Sequence, residues 1–262
     1  YGIRMRTVRK ALTLLDFFNE QTPELGLTEI SKLAAFDKAT TRRLLLALYD
    51  FGFVEQDADT RKYRLGAGLL RLARMREQMF PVTRIVQPVV DRLAEETGET
   101  AHASWALPNG LATIAIAESR HASRVSLEMG EILPYHSTSS GIIYLAFSPE
   151  EMVQNVLRGS FEAHTDQTPT DPKIISELIR EARKRGYATS ANTYETDVIG
   201  VGAAILDNNA RACGAIAVAS PFARGGPREI EARSIIVQAA AREISAALGS
   251  PVPINRFSQV PV

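Results

Sequence analysis

The sequence predicts an α+β protein: a winged helix-turn-helix head, a linker helix and a larger antiparallel-sheet domain. Three observations predict it. The first 66 residues read as three helical faces followed by two short strands around a charged turn. Beyond residue 81 the strands arrive as hairpins with helices grouped between them, the pattern of an antiparallel α+β domain. Charge divides at the same place. The 262 residues hold 30 Lys and Arg against 30 Asp and Glu, but residues 1–80 carry 14 against 10, a balance of +4, which leaves −4 for the remainder.

In the head, Val8, Ala11, Leu12, Leu15 and Phe18 follow helical spacing and predict one apolar face on a first helix, closed off by Pro23 and Gly26. Thr28 is the expected cap of a short second helix that buries Ile30, Leu33 and Ala34. After Phe36-Asp37 a third helix is predicted from Lys38 to about Phe51, with Leu44, Leu45, Leu48 and Phe51 inward and Gly52 as its left-handed terminator. Strands at 53–56 and 63–65 flank the polar turn 57–62. A linker or dimerisation helix follows from Gly66 to Phe80, stopped by Pro81.

The second domain is expected to open with a helix at 83–97, kinked or restarted at Pro88. Strands follow near 100–107, 111–118 and 123–129, helices near 141–158 and 172–186, strands at 200–206 and 211–219, and a last helix from Pro227 to Leu248. The domain ranges expected are thus 1–66, 67–81, 82–250 and a loose tail at 251–262.

The third helix opens on Lys38-Ala39-Thr40-Thr41-Arg42-Arg43. Cations there oppose the helix dipole, so their placement asks for another reason. A helix lying in the DNA major groove presents its N-terminal residues to base edges, where Arg42 can grip guanine through two hydrogen bonds. Thr28, Lys38, Thr40, Thr41 and Arg43 complete the expected contact set on the helices, with Arg43 also placed to face a neighbouring helix. Arg61 and Lys62 form a wing tip, and Arg4, Arg6 and Arg9 an arm. A solvated face, or a winged helix that docks protein instead of DNA, is the alternative.

The single cysteine, Cys213, makes no internal disulfide or Cys cluster. It reads as a buried strand residue, and Trp105, Tyr135 and Tyr144 read as packing residues. His102 and His136 are isolated, so no metal is expected. Ser137, Ser140 and Cys213 lack the partners of a nucleophile, and no phosphate loop is present, so neither an enzyme nor a cofactor is expected. The opening Tyr1-Gly2-Ile3-Arg4-Met5-Arg6 does not read as a signal peptide, and no apolar run is long enough to span a membrane. A cytoplasmic location is expected, with native or tag residues upstream of Tyr1.

Several motifs, in order, resemble those of IclR-type transcriptional regulators from about Thr7 to Leu248. They are Val8-Arg9-Lys10-Ala11-Leu12, Leu27-Thr28-Glu29-Ile30-Ser31, Lys38 through Leu45, Tyr63-Arg64-Leu65-Gly66, Leu133 through Gly141, and Arg185-Gly186-Tyr187-Ala188. The resemblance implies a winged helix for double-stranded operator DNA, a linker helix that pairs subunits, and a GAF-like effector domain, assembled as a homodimer or dimer of dimers. It implies a ligand-responsive repressor or activator of a catabolic operon. It also sets the loop Ser137-Thr138-Ser139-Ser140-Gly141 at the mouth of the effector pocket, where hydroxyls and a helix start favour a carboxylate. The facing wall would come from His102, Ser104, Tyr194, Glu195, Val201, Ala219 and Ser220. One departure stands out: Gly141-Ile142-Ile143 occupies the place where the family usually has Gly-Lys-Ala.

Overall fold

A computed structural model describes residues 2–19, 21–79 and 82–250, with side chains from residue 6 onward. The expected tail at 251–262, the stop at Phe80-Pro81 and the side chain of Arg4 lie outside the described residues. The chain divides into two compact units, Tyr1–Pro81 and Val82–Val262.

The first unit contains α1 (Gly2–Thr13), a 3-10 turn at Leu15–Phe17, α2 (Leu27–Leu33), α3 (Lys38–Asp50), β1 (Val54–Gln56), β2 (Tyr63–Leu65) and α4 (Ala67–Met79). Leu14, Phe18, Leu25, Ile30, Leu44, Leu45, Leu48, Val54 and Tyr63 form its core. The face predicted for α1 is corrected: Leu14 is fully buried, whereas Val8 and Leu12 are exposed. The α-helix stops at Thr13 and the 3-10 turn rewinds the chain, so the 100° step from Val8 does not carry through to Phe18. The α2 cap is also corrected. Its N-cap is Gly26, whose N–H donates to Glu29 Oε2 at 2.7 Å; Thr28 lies inside the first turn and Leu33 is exposed. Phe51, expected inward, is 76% exposed because α3 ends at Asp50 and Gly52 at φ +69° turns the chain away.

Strands β1 and β2 pair with Val54 opposite Leu65 and Gln56 opposite Tyr63. Their turn is built by Asp57, whose Oδ1 accepts from Thr60 N at 2.7 Å and Asp59 N at 3.1 Å. Glu55 Oε1 accepts from the N–H of Ala67 at 3.1 Å and so ties the hairpin to the start of α4. No residue of α4 is buried, and Leu70, Leu72, Met75 and Met79 are exposed.

The second unit opens with α5 (Val82–Thr97), which runs through Pro88. Then come β3 (Thr100–Leu107), β4 (Gly110–Ala117), β5 (Ile132–Leu133), α6 (Ser139–Ala146), α7 (Glu150–Leu157), α8 (Pro172–Arg185), β6 (Ala188–Ala191), β7 (Val198–Leu206), β8 (Ala212–Pro221), a 3-10 turn at Phe222–Arg224 and α9 (Pro227–Ala247). The sheet has order β5-β4-β3-β8-β7-β6 and every pairing is antiparallel. The expected strand at 123–129 is absent. That segment is a loop held by the Thr100 hydroxyl, which donates to the Val125 carbonyl at 2.6 Å. The helix predicted at 141–158 is two, α6 and α7, because Pro149 lacks an N–H and stands as the N-cap of α7. Strand β6 was not anticipated; it is four residues long, too short for alternation to show, and follows the left-handed cap Gly186.

Apolar layers cover both faces of the sheet. One face takes Ala101, Ala103, Ala203, Ile205, Ile216 and Val218 against α5 and α9. The other takes Leu111, Leu133 and Ala215 against α6 and α8, with Ile142 and Ile143 buried there. Tyr135 and Tyr144 stack at 5.4 Å in the same layer, as packing residues. At one end of the sheet Glu99 is buried beneath two arginines. Arg224 donates from Nε and Nη2 at 2.7 Å each, and Arg233 from Nη2 at 3.0 Å.

Candidate nucleic-acid interface and ligand cavity

In the head, α3 is started by Asp37, whose Oδ1 accepts from Thr40 N at 2.8 Å. That bond and the Thr40 hydroxyl hold the Asp37 carboxyl below the usual range, so the cap is ionised at neutral pH. With the buried face of α3 fixed by Thr41, Leu44, Leu45 and Leu48, the positions left outward are Lys38, Ala39, Arg42, Arg43, Leu46, Ala47, Tyr49 and Asp50. Arg43 therefore faces solvent and not a neighbouring helix within its unit. Thr41, expected at the interface, is fully buried and donates to the Asp37 carbonyl at 3.0 Å, so its role is structural. Thr40 is half-buried.

Thr28, Arg42 and Arg61 line one open groove together with Leu46, Gln56 and Tyr63. Arg61 holds a left-handed backbone, φ +59°, at the hairpin tip, and Lys62 beside it is exposed. Guanidinium groups on the helix and on the hairpin thus border one concavity that also holds Glu29, with Leu27, Leu46 and Tyr63 as its apolar part, a surface that suits a thymine methyl.

In the second unit a partly open cavity lies between the sheet and the start of α6. Its walls carry His102, Thr138, Ser139, Ser140, Ser190, Thr193, Tyr194, Glu195 and Gly200, with Val125, Leu127, Leu133, Val198 and Ala219 as the apolar part. Thr138 caps α6: its Oγ1 accepts from Gly141 N at 3.0 Å and donates to the Pro134 carbonyl at 2.8 Å. The N–H groups of Ser139 and Ser140, in the first turn, have no partner within the helix. His102 is 5% exposed; its Nε2 lies 3.3 Å from Ser140 Oγ, and its Nδ1 has no partner among the described residues. Burial pushes its pKa down to about 4, so the imidazole is neutral at pH 7.

The wall opposite α6 is a tight loop. Asn192 and Asp197 take φ +56° and +61°, and Asn192 Oδ1 accepts from Asp197 N at 2.8 Å. Thr193 donates to the Ser137 carbonyl at 2.6 Å, and Tyr194 Oη donates to Glu131 Oε1 at 3.0 Å.

Of the residues expected here, His102, Thr138, Ser139, Ser140, Tyr194, Glu195 and Ala219 line the cavity, while Ser104, Ser137, Gly141, Val201 and Ser220 do not. Strand alternation accounts for two of these: Gly200 and Ala219 face α6, so Val201 and Ser220 point to the opposite face. There Ser220 Oγ accepts from Arg233 Nη1 at 2.7 Å. Ser104 lies farther along β3, 3.5 Å from Thr113 Oγ1. Gly141 serves packing: a Cβ there would lie 2.4 Å from the Tyr135 carbonyl and 2.5 Å from that of Pro134. Ser137 sits behind the wall with its hydroxyl unpartnered among the described residues. The sequence reading missed Val125, Leu127, Leu133, Ser190, Thr193, Val198 and Gly200; the pairing of Ser190 with Gly200 needs β6, which carried no periodic signal.

Comparison with known proteins covers both units. The IclR helix-turn-helix domain matches residues 7–58, and the bacterial transcriptional regulator IclR C-terminal domain matches residues 78–246. The transcriptional repressor IclR of Escherichia coli (strain K12) is 28% identical over 249 residues, covering 94% of this chain and 91% of its own. A crystal structure from Silicibacter sp. TM1040, assigned to the IclR transcriptional regulators, superposes with a TM-score of 0.86 at 38% identity, over 95% of this chain and 98% of that one. The fold is shared at 22% identity and TM-score 0.76 by an IclR homolog from Microbacterium hydrocarbonoxydans complexed with 4-hydroxybenzoate, over 92% of this chain and 98% of that one. With both units matched, and an outward basic helix on one and a partly open cavity in the other, the chain belongs to the IclR family of DNA-binding transcriptional regulators, whose C-terminal domain binds a small ligand.

Proposed function

We propose that residues 1–66 read a two-fold operator through Thr28, Lys38, Arg42, Arg43, Arg61 and Lys62. Residues 67–81 pair two subunits, and residues 82–250 sense a small acidic effector. What carries the DNA reading is the groove shared by Arg42 and Arg61, two guanidinium groups from separate elements with no acidic partner among the described residues. Pairing through α4 is supported by its four exposed apolar side chains, and a two-fold operator needs two heads a fixed distance apart. This fits a homodimer or dimer of dimers acting with its DNA in the cytoplasm, and regulation without catalysis needs no metal or cofactor.

The acidic effector is supported by the start of α6, whose first residues Ser139 and Ser140 line the cavity and whose N–H groups there have no partner within the helix. His102 adds a buried ring nitrogen with no partner among the described residues. Bound ligand would favour one arrangement of the subunits over another, in proportion to its difference in affinity for the two. That the Microbacterium neighbour binds an aromatic carboxylate fits this class of ligand.

The test of the DNA reading is binding to the protein's own upstream DNA at several salt concentrations. Arg42→Ala should weaken specific binding about 5- to 150-fold, the worth of roughly 1–3 kcal/mol for a two-bond base contact. Affinity should fall steeply with salt, with a slope of about −0.9 per neutralised phosphate. An unchanged affinity in Arg42→Ala, or a flat salt dependence, would overturn the assignment.

A further inference from the structure

The segment joining β6 to β7 supplies three residues of the cavity wall, Thr193, Tyr194 and Glu195. Two hydroxyls from outside the cavity hold it. Thr165 Oγ1 donates to the Asn192 carbonyl at 2.5 Å, and Thr168 Oγ1 donates to the Thr193 carbonyl at 2.7 Å. Both threonines lie in the connection between α7 and α8, residues 158–171, and neither lines the cavity. Each hydroxyl has a single proton, so these bonds commit both. Their lone pairs fold the connection itself. Thr168 Oγ1 accepts from the N–H groups of His164 at 2.9 Å and Thr165 at 2.8 Å, and Thr165 Oγ1 from that of Gln167 at 3.1 Å. The wall passes the restraint on, since Thr193 Oγ1 donates to the Ser137 carbonyl, just ahead of α6. A further contact runs beside these bonds: the His164 ring meets that of Tyr194 edge-on at 5.0 Å.

Within the segment, the bonds from Asn192 N to the Val198 carbonyl and from Asp197 N to Asn192 Oδ1, both 2.8 Å, close its base. Thr193 and Tyr194, which meet the cavity, are held instead from other parts of the chain. We infer that the α7–α8 connection is a brace for the ligand cavity, with Thr165 and Thr168 as positioning residues that fix the wall before a ligand arrives and never touch that ligand. The inference rests on the cavity being the effector site, and it adds the residues that set the shape of that site. Without the brace the wall carbonyls lose these donors, and residues 193–195 open more often.

The experiment is amide hydrogen exchange on the full chain. It compares Thr168→Val, which keeps the shape and removes the hydroxyl, with Thr168→Ser, which keeps the hydroxyl; the site is half-buried. Exchange at Asn192 and Asp197 should quicken about tenfold in Thr168→Val and stay at the wild-type rate in Thr168→Ser, while the amides of β7 and β8 and the melting temperature hold. Access to the cavity is read by the thiol that Val125→Cys introduces in a Cys213→Ala background, since Val125 is buried and lines the cavity. Its labelling by a methanethiosulfonate reagent should quicken about tenfold with Thr168→Val and revert with Thr168→Ser. Thr165→Val, which removes the neighbouring bond, should act in the same direction. Unchanged exchange or unchanged labelling in both valine variants, or no recovery with serine, would overturn the inference. Faster exchange spread evenly over the sheet with a lowered melting temperature would also overturn it, by making the threonines supports of the fold at large. None of these readouts uses a ligand. The effector reading is tested apart, by thermal shift of the wild type with benzoate and with pentanoate: no stabilisation there would count against that reading and leave the brace intact.

Discussion

Removing the charge of Glu99 should destabilise the second unit by about 3 kcal/mol, with Ala costing more than Gln. The magnitude follows from who depends on that carboxylate. Glu99 is 3% exposed. Arg233, with a side chain only 10% exposed, has Glu99 as its one anionic partner among the described residues, and it also donates to Ser220 Oγ at 2.7 Å. Arg224 is different: its side chain is 32% exposed and it also donates to the Ser123 carbonyl at 2.9 Å, so solvent screens much of what it would lose. Breaking a buried ion pair from one side costs roughly 3–5 kcal/mol, and because only Arg233 is left stranded the lower end applies. The assay is urea denaturation followed by the chain's only tryptophan, Trp105, which lies half-buried in β3 and reports this unit alone. A paired Glu99→Met, Arg233→Met replacement should recover most of the loss, since desolvating the pair offsets much of its attraction. A loss below about 1 kcal/mol in Glu99→Gln, or no recovery in the double variant, would refute the account of a stranded buried cation.

Two further outcomes are expected. His102 resists protonation until about pH 4 in the folded state, whereas the unfolded imidazole takes its proton near 6.5. Stability should therefore fall as pH drops through that window, by up to about 3 kcal/mol from this group, and His102→Gln should remove that part of the pH dependence in Trp105-detected melts. Gly200→Ala would set a Cβ 2.7 Å from Ser139 Oγ and 2.9 Å from Ser190 Oγ. Both hydroxyls can rotate away, so the fold should survive while effector affinity drops about tenfold or more and ligand-free operator binding is unchanged; calorimetry and footprinting check the two halves.

The sequence was most legible where periodicity was long. The last helix, read as Pro227 to Leu248, buries Ser234, Val237, Ala241 and Ile244 as its spacing required. The strands expected near 100–107 and 111–118, and at 200–206 and 211–219, also pair as two hairpins. Failures cluster where a short local event resets the phase. A 3-10 turn at Leu15–Phe17 broke the period between Val8 and Phe18, a lone Pro149 cut one helix into two, and the Val125–Leu127 stretch has strand composition but no strand to pair with. In the cavity, residues next to the serine loop were foreseen from chemistry. Gly200 was hidden because its contribution is the absence of a side chain, and Val201 and Ser220 were misplaced by one step of alternation.

The strands that divide the two apolar layers are rich in alanine and glycine: Ala101, Ala103, Gly200, Gly202, Ala203, Ala215, Ala217 and Ala219. Short side chains let helices on either face ride close to the backbone, and they leave little compressible material between those faces. A ligand that displaces His102 or Gly200 on the cavity side is pushing on the same strands that carry Ala101 and Ala203 against α5 and α9. The central sheet is therefore a stiff partition between the cavity and the layer formed by α5 and α9.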